Sequence, residues 1–372
     1  MRTNLFIFLL LCTFFASAQK KEIKAGGSSV ALKVLKMPRF PIADFPKKSM
    51  AISDIQVIQV TRDSIRLGYA GAGLDNQIVI LVPTKPLGAF LQEHVLRMYK
   101  DSYKKEGAKI LWVVKELRVG EKSAFMDYAY TRFNTDAYIS KDGKLYKPVC
   151  SIDTVFVNES EVDVTAWHGE DIENAFRLLV RKTLSRGKEV LEQNATELTI
   201  EQIREASKPQ TDFPILTDDT YREGAYANFE EFLQNKPSIN DFQPIVVEKK
   251  KLLFIKTDPN SPHDTLSVWG LCKNGEIYKY DNETLIPIEN QGNGFIISSY
   301  VEQANRRNGN MFFAGFVAGI AGGIIGGAIY FSSTGSSAYG KTLLVRSIPY
   351  ITKPKKQPEA TCIDMKTGEL SF

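Results

Sequence analysis

The stretch from Gly335 to Thr342 has residue types and a spacing that could cradle a phosphate. It reads GSSAYGKT and satisfies the pattern GxxxxGK[ST], in which loop amides and a lysine hold nucleotide phosphates. That chemistry needs a buried strand before the loop and a helix after it, so that the helix N-terminus faces the phosphates. Only the six residues LLVRSI separate Thr342 from Pro349, and they favour a strand. We therefore interpret the match as fortuitous and expect no bound nucleotide.

Acid–base or metal chemistry would need histidines and carboxylates at related spacings. The three histidines are His94, His168 and His263, and the chain has no HExxH or GxSxG pattern. His94 falls on the apolar stripe of a predicted helix. His168 precedes an acidic first helical turn, where the helix dipole alone favours acids, and the pair Asp218/Asp219 is typical of a solvated turn. The sequence thus predicts no catalytic residue, no metal ligand and no cofactor.

Composition and cysteine spacing exclude further classes of site. The net charge is +4, and Lys and Arg are mixed with Asp and Glu along the chain, so no basic face for nucleic acid is expected. Beyond Cys12, the cysteines are Cys150, Cys272 and Cys362, without a CxxC spacing. A zinc ribbon or a dithiol redox site is therefore not indicated. A Cys150–Cys272 disulfide and buried free thiols both stay open.

The N-terminus has the pattern of a secretory signal peptide. Arg2 gives a positive start, Leu5–Phe15 is apolar, and Ala16-Ser17-Ala18 is a small-residue cleavage site. The mature chain is expected to begin near Gln19, outside the cytoplasm.

The elements that would position any site begin near residue 50. Strand-like runs cover Ile52–Val60, Ser64–Tyr69 and Gln77–Pro83, and the break at Thr61-Arg62-Asp63 predicts a hairpin between the first two. Leu87–Met98 has apolar residues at helical spacing and predicts the first long helix.

The next part of the chain alternates strands with a second long helix. Lys109–Val119 is rich in β-branched and aromatic residues and predicts a buried strand. Lys141-Asp142-Gly143 predicts a hairpin, Asp171–Leu191 has an amphipathic helical stripe, and Thr199–Gln202 has capping-box spacing. These residues predict an α+β fold: an N-terminal sheet with two long helices on one face.

A mostly antiparallel β domain is predicted to follow. Asn228 can cap a short helix with Glu231 three residues later. Lys273-Asn274-Gly275 lies between two strand-like runs and predicts a tight hairpin.

Two sets of segments resemble known proteins. LGAFLQEHVLRMYKDSY, ILWVVKELRV and ENAFRLLVRKTL resemble, in their order, the auxiliary lipoproteins of envelope transporters and related TolB-N-like domains. GAYANFEEFLQNKPSI, VWGLCKNGEIYKY and IDMKTGELSF resemble a family of exported bacterial envelope proteins whose function is uncharacterised. The first resemblance implies an accessory role in envelope assembly or transport, and the second implies a location and a domain plan.

The segment 311–331, MFFAGFVAGIAGGIIGGAIYF, carries no charge. As a helix it would span about 31 Å, close to the roughly 30 Å of a bilayer core. Its glycines would form one small-residue seam of the kind by which membrane helices pack closely. The predicted seam consists of Gly315, Gly319, Gly322, Gly323, Gly326 and Gly327. We therefore predict a C-terminal Gly-rich transmembrane-like helix, although the last residues, ATCIDMKTGELSF, would suit a strand of the preceding domain.

The predicted organisation can be stated by residue ranges. It is a signal peptide over 1–18, a mobile leader over 19–50, an α+β domain over 51–207, a linker over 208–217, a mostly-β domain over 218–305, a membrane helix over 311–331 and a tail over 332–372.

Three functional hypotheses follow from this organisation. The leading one is a non-enzymatic, membrane-tethered envelope protein whose main domains are extracytoplasmic. Its partners would be the membrane and either another copy, through helix–helix association, or another envelope protein. The alternative is a soluble periplasmic or secreted binding module with the Gly-rich segment buried in the fold. An enzyme of another class would need a cleft near His168 or Asp218/Asp219.

Overall fold

Strands predominate in the structure, which is a computed structural model. It describes residues 22–25, 28–42, 45, 50–73, 75–123, 126–161, 163–247, 251–256, 265–298, 300–308, 342–348, 351–353 and 356–372. These residues form two large sheets, a separate strand pair and helices.

The first sheet has eight strands and is built from the chain before residue 161. Its strands are β1 (Glu22–Ala25), β2 (Ser28–Val34), β3 (Ile52–Gln59), β4 (Gly68–Ala72), β5 (Gln77–Val82), β6 (Ala108–Lys122), β7 (Asp127–Ser140) and β8 (Lys147–Ser160). Their order is β1-β2-β5-β4-β6-β7-β8, and β3 also pairs with β6. The pairs β2–β5, β3–β6 and β4–β6 are parallel, so the sheet is mixed.

Both faces of this sheet are buried at its centre. Along β5, Val79 and Leu81 join one apolar core, whereas Ile78 and Ile80 join another. Successive strand residues point to opposite faces, so each face has its own covering layer. This double burial explains why Gln77–Val82 is a continuous apolar run after its first residue.

Helices cover one of the two faces. The described helices with printed bounds are α1 (Leu87–Tyr99), α2 (Thr165–Glu192), α3 (Ile200–Ser207), α4 (Pro214–Thr217) and α5 (Phe229–Leu233). Leu91 of α1 and Phe176 of α2 share a core with Trp112 of β6, whose ring stacks on that of Phe176 at a centroid distance of 5.4 Å. Burial of each such side chain contributes roughly 1.5–3 kcal/mol to the free energy of unfolding.

The second sheet is antiparallel and lies later in the chain. Strands after residue 223 are β9 (Gly224–Tyr226), β10 (Phe242–Val247), β11 (Lys251–Lys256), β12 (Gly270–Lys273), β13 (Glu276–Asp281), β14 (Thr284–Asn290), β15 (Phe295–Ile297), β16 (Cys362–Ile363) and β17 (Leu370–Ser371). The sheet order is β17-β16-β15-β14-β13-β12-β9, and β10 pairs with β11 alone. The predicted hairpin is confirmed, because β12 and β13 pair across Asn274 and Gly275, whose φ angles are 55° and 76°.

The second sheet covers the other face of the first sheet. Ile80 and Tyr130 of the first sheet belong to the same core as Phe295 and Phe372. The Tyr130 and Phe372 rings lie 5.9 Å apart, and a side chain at Gly120 would meet Phe372 Cδ2 at 2.9 Å. The two sheets are therefore joined through a continuous apolar contact, with the first sheet between helices and strands.

The predicted fold class is wrong in its balance of elements. We expected an α+β fold with two long helices on one face of the N-terminal sheet and a C-terminal transmembrane-like helix. The structure is a mixed α/β arrangement dominated by strands, and of its described helices only α2 exceeds 13 residues. The apolar pattern also gave no indication of β1 and β2, which precede residue 35.

The prediction of a membrane-spanning helix is also overturned. Among the residues that the structure describes, no helix is both long enough and apolar enough to cross a bilayer. Arg307, before the glycine-rich segment, forms an ion pair of 2.5 Å with Glu359, which follows it, and Cys362 pairs with Ile296 in the second sheet. A single crossing would place these flanking residues on opposite sides of a membrane. The segment 311–331 lies outside the described residues, as do Gly315, Gly319, Gly322, Gly323, Gly326 and Gly327.

The hairpin predicted at Thr61-Arg62-Asp63 is wrong as well. β3 and β4 do not pair with each other, because each pairs in parallel with a different part of β6. The turn itself forms, since Asp63 Oδ1 accepts hydrogen bonds from the backbone N–H groups of Ile65 and Arg66. A turn signal thus marks where the chain bends without fixing which strand becomes its partner.

Candidate functional site

A break in strand pairing along β6 creates the candidate site. β3 pairs with β6 as far as Gln59 and Val114, and β4 begins to pair at Gly68 and Val119. The stretch 115–118 lies between these two partners, and the chain from Thr61 to Leu67 loops out beside it. Ligand sites in open sheets with parallel strands commonly lie where neighbouring strands diverge.

A cleft of about 750 Å³ opens at this break. One wall comes from β6, β7 and the loop after β3, and the other from α5, the β14–β15 turn and residues 361–366. The chain from Ala206 to Gln210 also lines it. The volume falls within the roughly 300–1,000 Å³ that is typical of small-molecule sites. The cleft therefore lies between the two sheets and is large enough for a small ligand.

Arg62 is a partly buried cation of the cleft that forms no ion pair with a carboxylate among the described residues. Its Nη1 donates to the carbonyl oxygen of Asn293 at 3.3 Å, and its guanidinium lies 5.9 Å from the centroid of the Phe213 ring. Burial, and then the nearby charge of Arg118, lower the pKa of Arg62 below its ordinary value. The charges of Asp364 and Glu116 offset these effects in part, and a further anion in the cleft would stabilise the charged guanidinium.

Arg118 is the second guanidinium of the cleft. It contacts the Cys362 thiol, donates to the Phe372 carbonyl oxygen at 3.2 Å and lies 3.3 Å from Glu116 Oε1. Burial alone would raise the pKa of Glu116, but Arg118 and Arg132 outweigh it and lower that pKa. Glu116 therefore stays ionised and holds two arginines in place.

The other carboxylates of the cleft are also engaged. Asp136 pairs with Lys115 Nζ at 2.8 Å, and Asp63 pairs with Arg66 Nε at 2.6 Å. Asp364 Oδ1 accepts from the backbone N–H of Lys366 at 2.8 Å. These acids already accept hydrogen bonds from neighbouring groups, which suits them to fixing the shape of the cleft.

A second group of titratable side chains lies under α2, away from the cleft. We call it the buried polar chain, and its members are Glu121, His168, Thr131, Asp171 and Asn158. His168 Nε2 lies 3.1 Å from Glu121 Oε1, His168 Nδ1 lies 2.9 Å from Thr131 Oγ1, and Thr131 Oγ1 lies 2.9 Å from Asp171 Oδ2. Asn158 Nδ2 donates to both Asp171 oxygens at 2.9 Å.

Asp171 is the buried carboxyl of the buried polar chain. Burial raises its pKa above the ordinary value, and the hydrogen bonds from Asn158 and Thr131 oppose that rise.

The order of hydroxyl, imidazole and carboxylate in Thr131, His168 and Glu121 resembles that of a nucleophile, a base and an orienting acid. However, Thr131 and His168 are fully buried and Asp171 is 2% exposed, so substrate has no access to the hydroxyl. The arrangement can tie α2 to β6 and β7, but it cannot act on a ligand.

His94 is a buried residue of α1 that faces α2. Its Nδ1 lies 3.0 Å from Arg97 Nη2, and its Nε2 lies 3.4 Å from Glu173 Oε2. Burial, and then the charge of Arg97, lower the pKa of His94 to about 4. His94 is therefore a neutral imidazole at neutral pH, held between α1 and α2.

The other candidates from the sequence do not converge. His168 lies inside α2 rather than before it, because α2 begins at Thr165, whose backbone N–H donates to Asp163. Asp218 accepts from Asn235, which orders a turn. His263 lies outside the described residues, as do 335–341 of the phosphate-loop pattern.

The cysteines are unpaired in the structure: Cys150, Cys272 and Cys362 are free. In the part of the chain that the structure describes, no group of three or more metal-ligating side chains converges.

Sequence reasoning missed the cleft residues. Arg62 was assigned to a hairpin turn, and Arg118 to a buried strand. One signal was present: the strand-like run Lys109–Val119 includes Lys115, Glu116 and Arg118, which a strand buried on both faces does not usually carry.

Comparisons with known proteins add little to this geometry. No protein-family model matches the chain, and no curated protein matches it. Among solved structures, a Xanthomonas campestris protein of family model DUF330 is 16% identical over 44% of this chain and 100% of its own, with a TM-score of 0.31. The crystal structure of an uncharacterized protein is 13% identical over 41% of this chain and 98% of its own, with a TM-score of 0.24. Scores this low carry no argument about fold or function.

Proposed function

We propose that this chain is an exported, non-enzymatic binding module of the cell envelope, and that the cleft at the break in β6 holds an anionic ligand. The observation that carries the proposal is Arg62, a partly buried guanidinium without a carboxylate partner among the described residues. Arg118 supplies a second guanidinium in the same cleft. The accessory role in envelope assembly or transport that the sequence resemblance implies is compatible with such a module.

Binding is favoured over catalysis by the state of the cleft acids. Glu116 is paired with Arg118 and Arg132, Asp136 is paired with Lys115, and Asp63 turns back onto its own loop. A general base needs a carboxylate or imidazole that can accept a proton from the ligand. Paired acids instead keep the arginines positioned.

Anion binding can be measured directly. We expect acetate, benzoate or inorganic phosphate at low ionic strength to raise the melting temperature of the full chain, because a ligand that binds only the folded state stabilises it. Arg62→Gln should lose this effect. The matched control is Arg306→Gln, whose side chain is 71% exposed and pairs with Glu302 one helical turn away. Equal anion stabilisation in Arg62→Gln, or none in the wild type, would contradict the proposal.

Export is tested separately. N-terminal sequencing of the protein from a cell-envelope fraction should give a chain that starts at Gln19, after the Ala16-Ser17-Ala18 site. Recovery of a chain that retains residues 1–18 in the cytosolic fraction would refute export without bearing on the cleft.

A further inference from the structure

The cleft also carries information about the chemical class of its ligand. We infer that it prefers an organic anion, in which a carboxylate or phosphate group is joined to an apolar body, over a small inorganic anion, which would bind more weakly. This inference rests on the proposed function, because it assumes that the cleft is the ligand site.

The first argument is the contact between charge and aromatic surface at Arg62. Its guanidinium lies over the Phe213 ring, 5.9 Å from the centroid, while Nη1 is fixed by the Asn293 carbonyl oxygen. Asn293 Nδ2 in turn donates to the Arg62 carbonyl oxygen at 2.8 Å. The guanidinium is thus held by the turn between β14 and β15, with the Phe213 ring beside it. A ligand whose acidic group reaches Arg62 therefore brings its adjacent atoms against an aromatic face.

The second argument is the lining of the rest of the cleft. Apolar side chains contribute to it from both sheets and from the chain between them: Leu67, Leu233, Phe295, Ile363 and Met365. These side chains are themselves already buried in the apolar cores, so the gain would come from the ligand. An apolar body placed against them would leave water, at roughly 0.8 kcal/mol for each methylene buried.

The third argument is the position of Arg118. It lies on the stretch 115–118 of β6, where the strand has no neighbour on the side of the β3–β4 break. The two arginines come from different elements, one from the loop after β3 and one from β6. Two guanidinium groups on separate elements suit a group with several oxygens, such as a carboxylate or phosphate.

A series of monocarboxylates tests the inference on the full chain. Calorimetric titration with acetate, hexanoate and 3-phenylpropionate should show affinity rising along the series, by about four-fold for each methylene that becomes buried. Hexanol, which has the chain without the charge, should bind at least about ten-fold more weakly than hexanoate. A flat series would overturn the apolar body while leaving the anion site intact.

Variants separate the two parts of the ligand. Arg62→Gln should weaken every carboxylate about ten-fold or more and leave hexanol unchanged. Phe213→Leu, which keeps an apolar side chain at a buried position, should weaken 3-phenylpropionate more than acetate. Arg306→Gln should leave the affinities for all of these ligands unchanged. Equal binding of hexanol and hexanoate, or an unaffected Arg62→Gln, would overturn the anionic part and the proposed function with it.

Discussion

The cleft and the buried polar chain both gather titratable side chains within hydrogen-bond distance, yet they differ in what those groups face. In the buried polar chain every member faces another member, and His168 and Thr131 have no exposed surface. In the cleft Glu116, Asp136 and Asp63 are paired with cations, whereas Arg62 lines the cavity without an ion pair. The first arrangement satisfies itself, whereas the second leaves one charge for a partner from outside.

The difference teaches that converging polar residues do not define a site by their order alone. The members of the buried polar chain follow the order of nucleophile, base and acid that is found in hydrolases. Because they are buried, no substrate can reach them. The cleft has no recognised sequence motif. We interpret it as a binding site because Arg62 lines a cavity without an ion pair to a carboxylate. Four changes would break or sharpen this comparison.

The largest expected effect is on the pH dependence of the free energy of unfolding, through His94 of α1. Its pKa is lowered to about 4 in the folded protein, whereas an unfolded chain has a histidine pKa near 6.5. As pH falls from about 6.5 to 4, the unfolded state takes up a proton first. The stability that neutral His94 confers is therefore complete above that window and lost within it, on the order of 3 kcal/mol. Urea unfolding at several pH values should show a shallower pH slope for His94→Gln, and an identical slope would contradict this assignment.

The second effect is the loss of one hydroxyl from the buried polar chain. Thr131→Val keeps the shape of the side chain but leaves His168 Nδ1 and Asp171 Oδ2 without their common partner. Asp171 Oδ2 keeps its hydrogen bond from Asn158, so the loss falls mainly on His168. We expect the free energy of unfolding to fall by about 2 kcal/mol, the cost of leaving a buried polar atom unsatisfied. The control, Thr367→Val, alters an exposed threonine and should stay near the wild type. If both variants have the same free energy of unfolding, the buried polar chain contributes no such stability.

The third effect has the opposite sign. Arg62→Gln should leave the free energy of unfolding unchanged or raise it by up to about 1 kcal/mol without ligand, because it removes a partly buried charge near Arg118. Arg132→Gln is its counterpart, since Arg132 pairs with Glu116 and Asp153. That variant should lose about 1 kcal/mol. Chemical unfolding of both distinguishes an unsatisfied cation from a structural one, and destabilisation of Arg62→Gln by the same amount would erase the distinction.

The smallest effect serves as the baseline. Arg306→Gln breaks an exposed pair with Glu302, and such pairs contribute little. The free energy of unfolding should change by no more than about 0.5 kcal/mol, by the same measurement. A larger loss would show that surface charges matter here and would weaken the contrast drawn from Arg62.

Local signals in the sequence were sufficient to predict local structure. Thr199 and Gln202 form the expected capping box, and Asn228 caps α5 by accepting from the Glu231 N–H. The Asn274-Gly275 turn joins two paired strands as expected. Each of these features depends on residues within a few positions of one another, so a short stretch contains all the information.

Partner choice was not predictable in the same way. The period-two pattern that marks β3 as a strand is equally compatible with pairing to β4 or to β6. The outcome depends on the whole sheet, in which β6 is long enough to pair with both. Arg62 lies in the loop between β3 and β4, whose pairing partners were wrongly predicted. The wrong hairpin and the missed site therefore have the same cause.

The contact of Arg118 with Phe372 has a consequence for the timing of folding. These residues are 254 positions apart in the chain, and Phe372 fills the space beside Gly120. The core between the sheets cannot close before residues 361–372 arrive, whatever helices and hairpins have already formed. Contacts of such long sequence separation slow folding. The two-sheet body should therefore assemble late and slowly.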